Sequence, residues 1–532
     1  MPEPQSVAPP IQGNQHQCDM KRKQFLTKEA LLDNIEPLYL KKIKPYSLFM
    51  RPHPMRYVCA LLCLWSSLAL AETTLDPFGT EAALPLKPAL RLGGAVGDPC
   101  AESMPDRALN RVPGQKLFGL LEVVNLALCN NPQTREVWAS ARAQAAQVGV
   151  SKASYLPSAN LSASGNRTSP GTGQRSYGLT LSYLLYDFGT RAAGLESAHQ
   201  LLAAANAAQD STVQSVFLQA VQSFYQTQAA QAALDAALES ERAAKESFAA
   251  AEARYVAGSA TPADKLQAQT AYSQATLNRI TANGNLNNTK GALANMLGLD
   301  AHKNILLAAA NTAAIPASFD RDISALIEEA RLRRPDLQAA AAQVKAAEAG
   351  VDAARAAGKP SVSLTASTNQ TNSAGITSSG SSVGINLSVP LFSGFAPTYR
   401  IRAAEAQMGA QTAQLERLRL QVALDVWTAY QNLITATQSL RTTADLLGSA
   451  GQSERVALGR YKAGVGSILD VLNAQSALAS ARQQRIQSTF NWNINRATLA
   501  QAMGNLDTSL LQDLSDSSQQ PGANFQRNNN QP

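Results

Sequence analysis

The chain has 532 residues, of which 45% are hydrophobic, 16% charged and 6% aromatic, with a formal net charge of +7. Residues 1–71 hold nine Lys/Arg against five Asp/Glu, a net +4, which leaves only +3 for the remaining 461 residues. That balance gives no electrostatic footprint for nucleic acid.

Residues 50–71, MRPHPMRYVCALLCLWSSLALA, join Arg51 and Arg56 to an apolar run and a small-x-small site at Ala69-Leu70-Ala71. This pattern predicts a secretory signal peptide, and the run Val58–Leu70 is too short to span a membrane. Residues 1–49 then lie upstream of the true start at Met50 or Met55, or form a genuine disordered extension. No Cys follows the small-residue site, so it carries no signal for lipid attachment. Cys18, Cys59 and Cys63 precede the cut, leaving Cys100 and Cys129. In an oxidising compartment that pair predicts one disulfide, tying the N-terminal arm, 72–117, to the first helix; two free thiols are the alternative.

Beyond the arm the chain is written twice, as repeat 1 over 118–300 and repeat 2 over 321–507, with 301–320 as linker. Pro132 and Pro157 recur 203 residues later as Pro335 and Pro360. Leu181, Ser182 and Leu185 recur 206 residues later as Leu387, Ser388 and Leu391. Within each copy the first element is a helical segment of about 37 residues, Lys116–Ala153 and Asp322–Ala357, with apolar residues three and four apart. A hairpin follows. Its partner strands are Pro157–Gly165 and Pro360–Thr368, joined by the loops NRTSPGTGQRS and TNSAGITSSGS. Its second strands alternate: Tyr177, Leu179, Leu181, Tyr183 and Leu185 in one copy, Val383, Ile385, Leu387, Val389 and Leu391 in the other.

A very long helix comes next. Sixty-three residues between Gly194 and Gly258 contain neither Pro nor Gly, and at 1.5 Å per residue they span roughly 95 Å. Such a helix needs a coiled-coil-like partner. It ends in YVAGSATPADKLQAQ at 255–269 and, in the second copy, in YKAGVGSILDVLNAQ at 461–475, identical at seven of fifteen positions. Gly258 and Gly464 stop the helices, and Thr261-Pro262-Ala263-Asp264 starts a new one with N-cap, Pro at N1 and a carboxylate at N3. Ser467-Ile468-Leu469-Asp470 repeats the pattern. A final helix ends at Gly298 or Gly504, and the tail 508–532 has a disordered composition.

Each chain thus supplies four strands of about ten residues, apolar on one face, which at about 40° tilt cover the roughly 25 Å apolar band of an outer-membrane barrel. Four strands cannot close a barrel, and an open edge cannot sit in lipid. No catalytic reading competes. His199 and His302 lie 103 residues apart without metal-ligand spacing. The match of Gly380–Gly384 to G-x-S-x-G enters a strand from a loop, the wrong context for a nucleophile elbow. No enzyme, cofactor or metal site is expected.

The duplicated layout, the N-P near each copy's start, LSYLLYDFG and LSVPLFSGF after the strands, and Y-x-A-G-x(5)-D-x-L-x-A-Q in both turns together resemble the TolC family of outer-membrane efflux proteins over about 120–507. The resemblance implies a mainly α fold with a small transmembrane β-barrel: a trimer with a twelve-stranded barrel and a long helical periplasmic tunnel. It implies an exit duct working with an inner-membrane ABC transporter and a periplasmic adaptor. The missing lipid-attachment Cys, with Cys100 and the run A-L-C-N-N-P-Q-T-R, looks like the type I branch that secretes large repeat-in-toxin proteins. Small-molecule efflux is the alternative, and a membrane-anchored structural stalk a second.

The resemblance also implies a gate where the second turn closes the tunnel. A constricting acidic ring maps to Asp470. The next ring, acidic in the best-known member, maps to Asn473, and a basic locking residue maps to Gly466. Tyr461 and Asp264 match other members of the lock. Three Asp470 carboxylates on one axis would repel one another and attract cations; capping alone is the alternative for both acids.

Overall fold

The computed structural model describes residues 76–84, 117–167, 173–303, 305–308 and 322–506. The segments expected as extension, signal peptide and C-terminal tail, with most of the arm and linker, lie outside the described residues, as does Cys100. The compact unit that holds both repeats begins at Asp76.

The two copies agree residue for residue in helix length. The first contains α1 (Leu120–Asn130), α2 (Pro132–Ala153), the hairpin β2 (Ser158–Arg167) and β3 (Gly173–Tyr186), α3 (Thr190–Val256) and α4 (Pro262–Met296). The second contains α5 (Ile323–Arg333), α6 (Pro335–Ala356), the hairpin β5 (Ser361–Ser373) and β6 (Ile376–Ser388), α7 (Ala396–Lys462) and α8 (Ile468–Ala502). A two-residue strand β1 (Leu117–Phe118) pairs in parallel with β4 (Leu306–Leu307), bringing the start of the first copy to the end of its last helix. The helices α3 and α7 run 67 residues each, roughly 100 Å. No helix among the described residues is long and apolar enough to cross a membrane.

The opening helical segment of each copy, expected as one helix, is two. Asn131 (ψ 130°) and Arg334 (ψ 122°) are extended because a following proline disfavours the α conformation. Each proline then sits at the first helical position, where its missing N–H costs nothing. These breaks are fastened to the ends of the final helices. Asn131 Oδ1 accepts from Gln133 N at 2.8 Å, and its Nδ2 donates to Met296 O at 3.1 Å. Arg334 is buried and donates to Asp336 at 2.6 Å, Asp425 at 3.1 Å and Ala502 O at 3.5 Å. Burial alone would lower its pKa; the two carboxylates more than reverse this and hold the guanidinium protonated. Gly298 and Gly504 close the joint: a Cβ on Gly298 would lie 2.6 Å from Asn130 O, and one on Gly504 3.1 Å from the Arg333–Arg334 peptide.

Two apolar clusters form around these joints. One gathers Val123, Val124, Phe217, Val221, Leu293 and Leu297; the other gathers Leu326, Leu337, Val422, Val426, Trp492 and Leu499. Phe490 and Ala497 of α8 pack into the first cluster, so the second copy is bound to the first.

The sheet has the order β2-β3-β5-β6 and is antiparallel throughout. The β3–β5 ladder joins the two copies. The register puts Leu161, Tyr177, Leu179, Leu181, Tyr183, Val362, Leu364, Val383, Ile385 and Leu387 on one face. The other face carries Ser162, Ser176, Thr180, Ser182, Ser363, Ser367 and Ser382, with Ser164–Ser176 and Ser367–Ser382 hydrogen bonds. Two expectations shift. The register breaks between Leu184 and Tyr186, so Tyr186 rather than Leu185 continues the apolar face. The stretch read as a loop after β5 is mostly ladder, closed by a two-residue turn at Ala374 (φ 53°) and Gly375 (φ 82°), the left-handed pair whose twist suits a hairpin. Below the sheet, aromatic pairs Tyr186–Phe188 and Phe392–Phe395 stand edge to face at 4.7 and 5.6 Å.

Arg334→Ala would leave Asp336 and Asp425 facing each other without their cation and is expected to cost about 3 kcal/mol. Denaturant titration in detergent measures this, and an unchanged midpoint would show that the joint does not depend on the ion cluster.

Candidate functional site at the paired helix turns

At the end of the molecule farthest along the chain from the hairpins, α3 turns into α4 and α7 into α8. Both turns have the same backbone. Gly258 (φ 71°) and Gly464 (φ 79°) take the left-handed conformation. Ser259 N bonds back to Arg254 O and Val465 N to Arg460 O, at 2.9 and 3.0 Å, which satisfies carbonyls the helix end would otherwise strand.

Both N-caps are capping boxes, and the second is the looser. Asp264 Oδ2 accepts from Thr261 N at 2.9 Å and from Thr261 Oγ1 at 2.8 Å, while Asp264 N donates to Thr261 Oγ1 at 3.2 Å. The Thr261 backbone N–H, and then its hydroxyl, hold the Asp264 carboxyl below its ordinary value. In the second turn Ser467 Oγ accepts from Leu469 N at 3.1 Å, and Asp470 touches Ser467 N only at 3.4 Å. Asp470 and Asn473 lie exposed, three residues apart on one face of α8.

Tyr461 is buried, in a cluster with Ala251, Ala268, Ile468 and Val471. Among the described residues no hydrogen bond joins it to Asp264. Its partner is a residue that the sequence reading passed over: Arg254 of α3. The guanidinium carbon lies 4.1 Å from the Tyr461 ring centroid, and Nη2 donates to Tyr461 O at 2.6 Å. That carbonyl is in the last turn of α7, where a cation is favoured. Ser247 and Gln475 add a second tie between α3 and α8, at 3.0–3.3 Å. The repeat contained a signal for Arg254, because Arg254-Tyr255 and Arg460-Tyr461 are the same dipeptide 206 residues apart.

Gly466 is enclosed. A Cβ there would sit 2.9 Å from Tyr461 N and 3.0 Å from Arg460 Cβ, so this turn has no room for a side chain. The basic group near Tyr461 comes from α3 instead. Cys129, near the end of α1, is disulfide-bonded; Cys100, its expected partner, lies outside the described residues. His199 and His302 are exposed, and no metal-binding cluster occurs among the described residues.

Two outcomes follow from this geometry. Gly466→Ala must displace backbone, so amides 464–470 should exchange hydrogen faster while 258–264 are unchanged; equal protection would mean the turn has slack. Since the Asp264 pKa is lowered in the folded protein, its cap is fully present above the ordinary value of 3.8 and is lost as pH falls through the lowered value. Exchange at Thr261 and Asp264 should accelerate only below that ordinary value, and acceleration near neutral pH would contradict the cap.

The comparisons agree with one another. The family model described as outer membrane efflux protein matches residues 123–299 and 326–505. Protein CyaE of Bordetella pertussis is 34% identical over 407 residues, 74% of this chain and 85% of that protein. The solvent efflux pump outer membrane protein SrpC of Pseudomonas putida is 28% identical over 475 residues, 83% of this chain and 97% of its own. Among solved structures, a membrane protein from Pseudomonas aeruginosa superposes with a TM-score of 0.65 at 25% identity, covering 72% of this chain and 93% of that one. The open state of the Neisseria gonorrhoeae MtrE outer membrane channel gives 0.62 at 21% identity, covering 73% and 90%.

Proposed function

The chain belongs to the outer membrane efflux protein family, outer-membrane channels of tripartite export systems, and on that premise we propose that three copies form the exit duct of a type I protein-secretion system. The carrying observation is a sheet with one apolar face, one small and polar face and two unpaired edges, continued by helices roughly 100 Å long. Three such sheets give twelve strands around a water-lined bore, and the helices extend the bore across the periplasm. Its partners in this reading are an inner-membrane ABC transporter, a periplasmic adaptor and an exported protein.

The type I branch is favoured by the absence of a Cys after the signal-peptide site. Small-molecule efflux is the second reading, favoured by the likeness to SrpC over most of both chains. Loss of protein-toxin export on deletion, with unchanged tolerance of drugs and solvents, separates the two.

The gate in this proposal is the α7–α8 turn. Exposed and weakly engaged in its own cap, Asp470 is free to face the axis, where three carboxylates would repel and attract cations. Asn473 forms an uncharged ring beside it. Arg254 supplies the locking cation that Gly466 cannot, fixing the end of α7 against α3 through Tyr461. Single-channel recording in planar bilayers tests this. The wild-type channel should be narrow and cation-selective. Asp470→Ala should lose selectivity, and Arg254→Ala should raise conductance with selectivity retained. A pore indifferent to both changes would return Asp470 to capping and Arg254 to packing.

A further inference from the structure

The extracellular end of the sheet carries a feature that conduction does not use. The four strands contain no Asp or Glu and two cations, Arg167 and Arg175. The ladder opposes Arg167 to Gly173 and Arg175 to Gly165, four and two residue pairs beyond Ala163–Tyr177. Both arginines therefore share the face of Leu161, Leu179 and Leu181, which is the lipid-facing side. They stand above the apolar band, at the hairpin tips and away from the helices. Next to Arg175 on the same face come Asn372 and Thr377, which hydrogen-bond to each other at 2.9 Å. Together with Tyr177 and Gln370 these residues line a cup of about 810 Å³. Among the described residues neither guanidinium has a hydrogen bond or an ion pair.

We propose that Arg167 and Arg175 form a binding site for the phosphorylated headgroup of an outer-leaflet glycolipid. Three constraints converge on this occupant. The outward face fixes a lipid neighbour. The height, two residue pairs above the Tyr177 ring at the edge of the apolar band, fixes the headgroup level. Two uncompensated guanidiniums on adjacent strands fix an anion with several oxygens, for which Arg is suited by its planar fork. Glycine on the opposing strand position leaves each arginine room to turn toward the anion, and the Asn372 and Gln370 amides supply neutral donors for the remaining oxygens. The proposal rests on the outer-membrane placement of the sheet and not on the gate.

The test uses the full chain purified in detergent, with diphosphoryl lipid A, its dephosphorylated counterpart and inorganic phosphate as probes, read by native mass spectrometry. The wild-type protein should prefer diphosphoryl lipid A to the dephosphorylated form by on the order of ten-fold, and millimolar inorganic phosphate should not displace it. Arg167→Gln/Arg175→Gln should lose that preference; Arg167→Lys/Arg175→Lys should keep most of it. Equal binding by the Gln variant, or no preference in the wild type, overturns the proposal. Full displacement by inorganic phosphate also overturns it, by showing a free-anion site instead. Recording the Gln variant in bilayers without lipid A keeps the readings apart, because the channel should conduct as wild type even if the lipid site fails.

Discussion

An unpaired strand edge is intolerable in hydrocarbon, and the rest of this molecule depends on that constraint. Each chain ends its sheet at β2 on one side and β6 on the other, with backbone N–H and C=O groups that lipid cannot satisfy. The chain is thus an incomplete membrane structure by itself. Closure needs further copies of the same sheet, and closure in turn decides which face sees lipid and which sees water. In the proposed trimer the serine-rich face lines the bore, because the other face, with Val383, Ile385 and Leu387 largely exposed, suits lipid.

Duplication solves the problem of building such an object economically, but the copies have diverged where they do different work. At the joints, a neutral Asn131 and a charged Arg334 perform the same tie to the end of the last helix, one with a single amide and the other with a buried ion cluster. At the turns, the acid at N3 is kept in both copies. In the first it is absorbed by its cap. In the second the Asp470 carboxylate makes the same contact at the longer distance of 3.4 Å, and Ser467 also accepts from Leu469 N. Arg254 then couples the copies by reaching from the stable first turn to the end of α7. In the proposed duct, one backbone position thus caps a helix in the first repeat and lines the gate in the second.

Much of this was legible in the sequence because the repeat supplies an internal comparison. Helix ends at Gly258 and Gly464, caps at Thr261 and Ser467, and the alternating strands all follow from local chemistry read twice. The splitting of the first helices was signalled by Pro132 and Pro335 yet read through, since apolar periodicity continues across the break. The hairpin at Ala374-Gly375 was hidden by flanking Thr, Ser and Asn residues, which look like loop but face water inside a ladder. Arg254 was missed for a different reason: its contact with Tyr461 joins residues 207 apart through the packing of two long helices. Local pattern carries no information about that packing. The enclosed position of Gly466 is likewise a property of the folded turn.

The central claim, that three open-edged sheets close into one barrel, is tested most directly by the mass of the detergent-solubilised protein. Light scattering corrected for bound detergent should give three copies per particle, for twelve strands in all. Two copies would mean an eight-stranded barrel too narrow for a protein duct, and a stable single copy would contradict closure altogether.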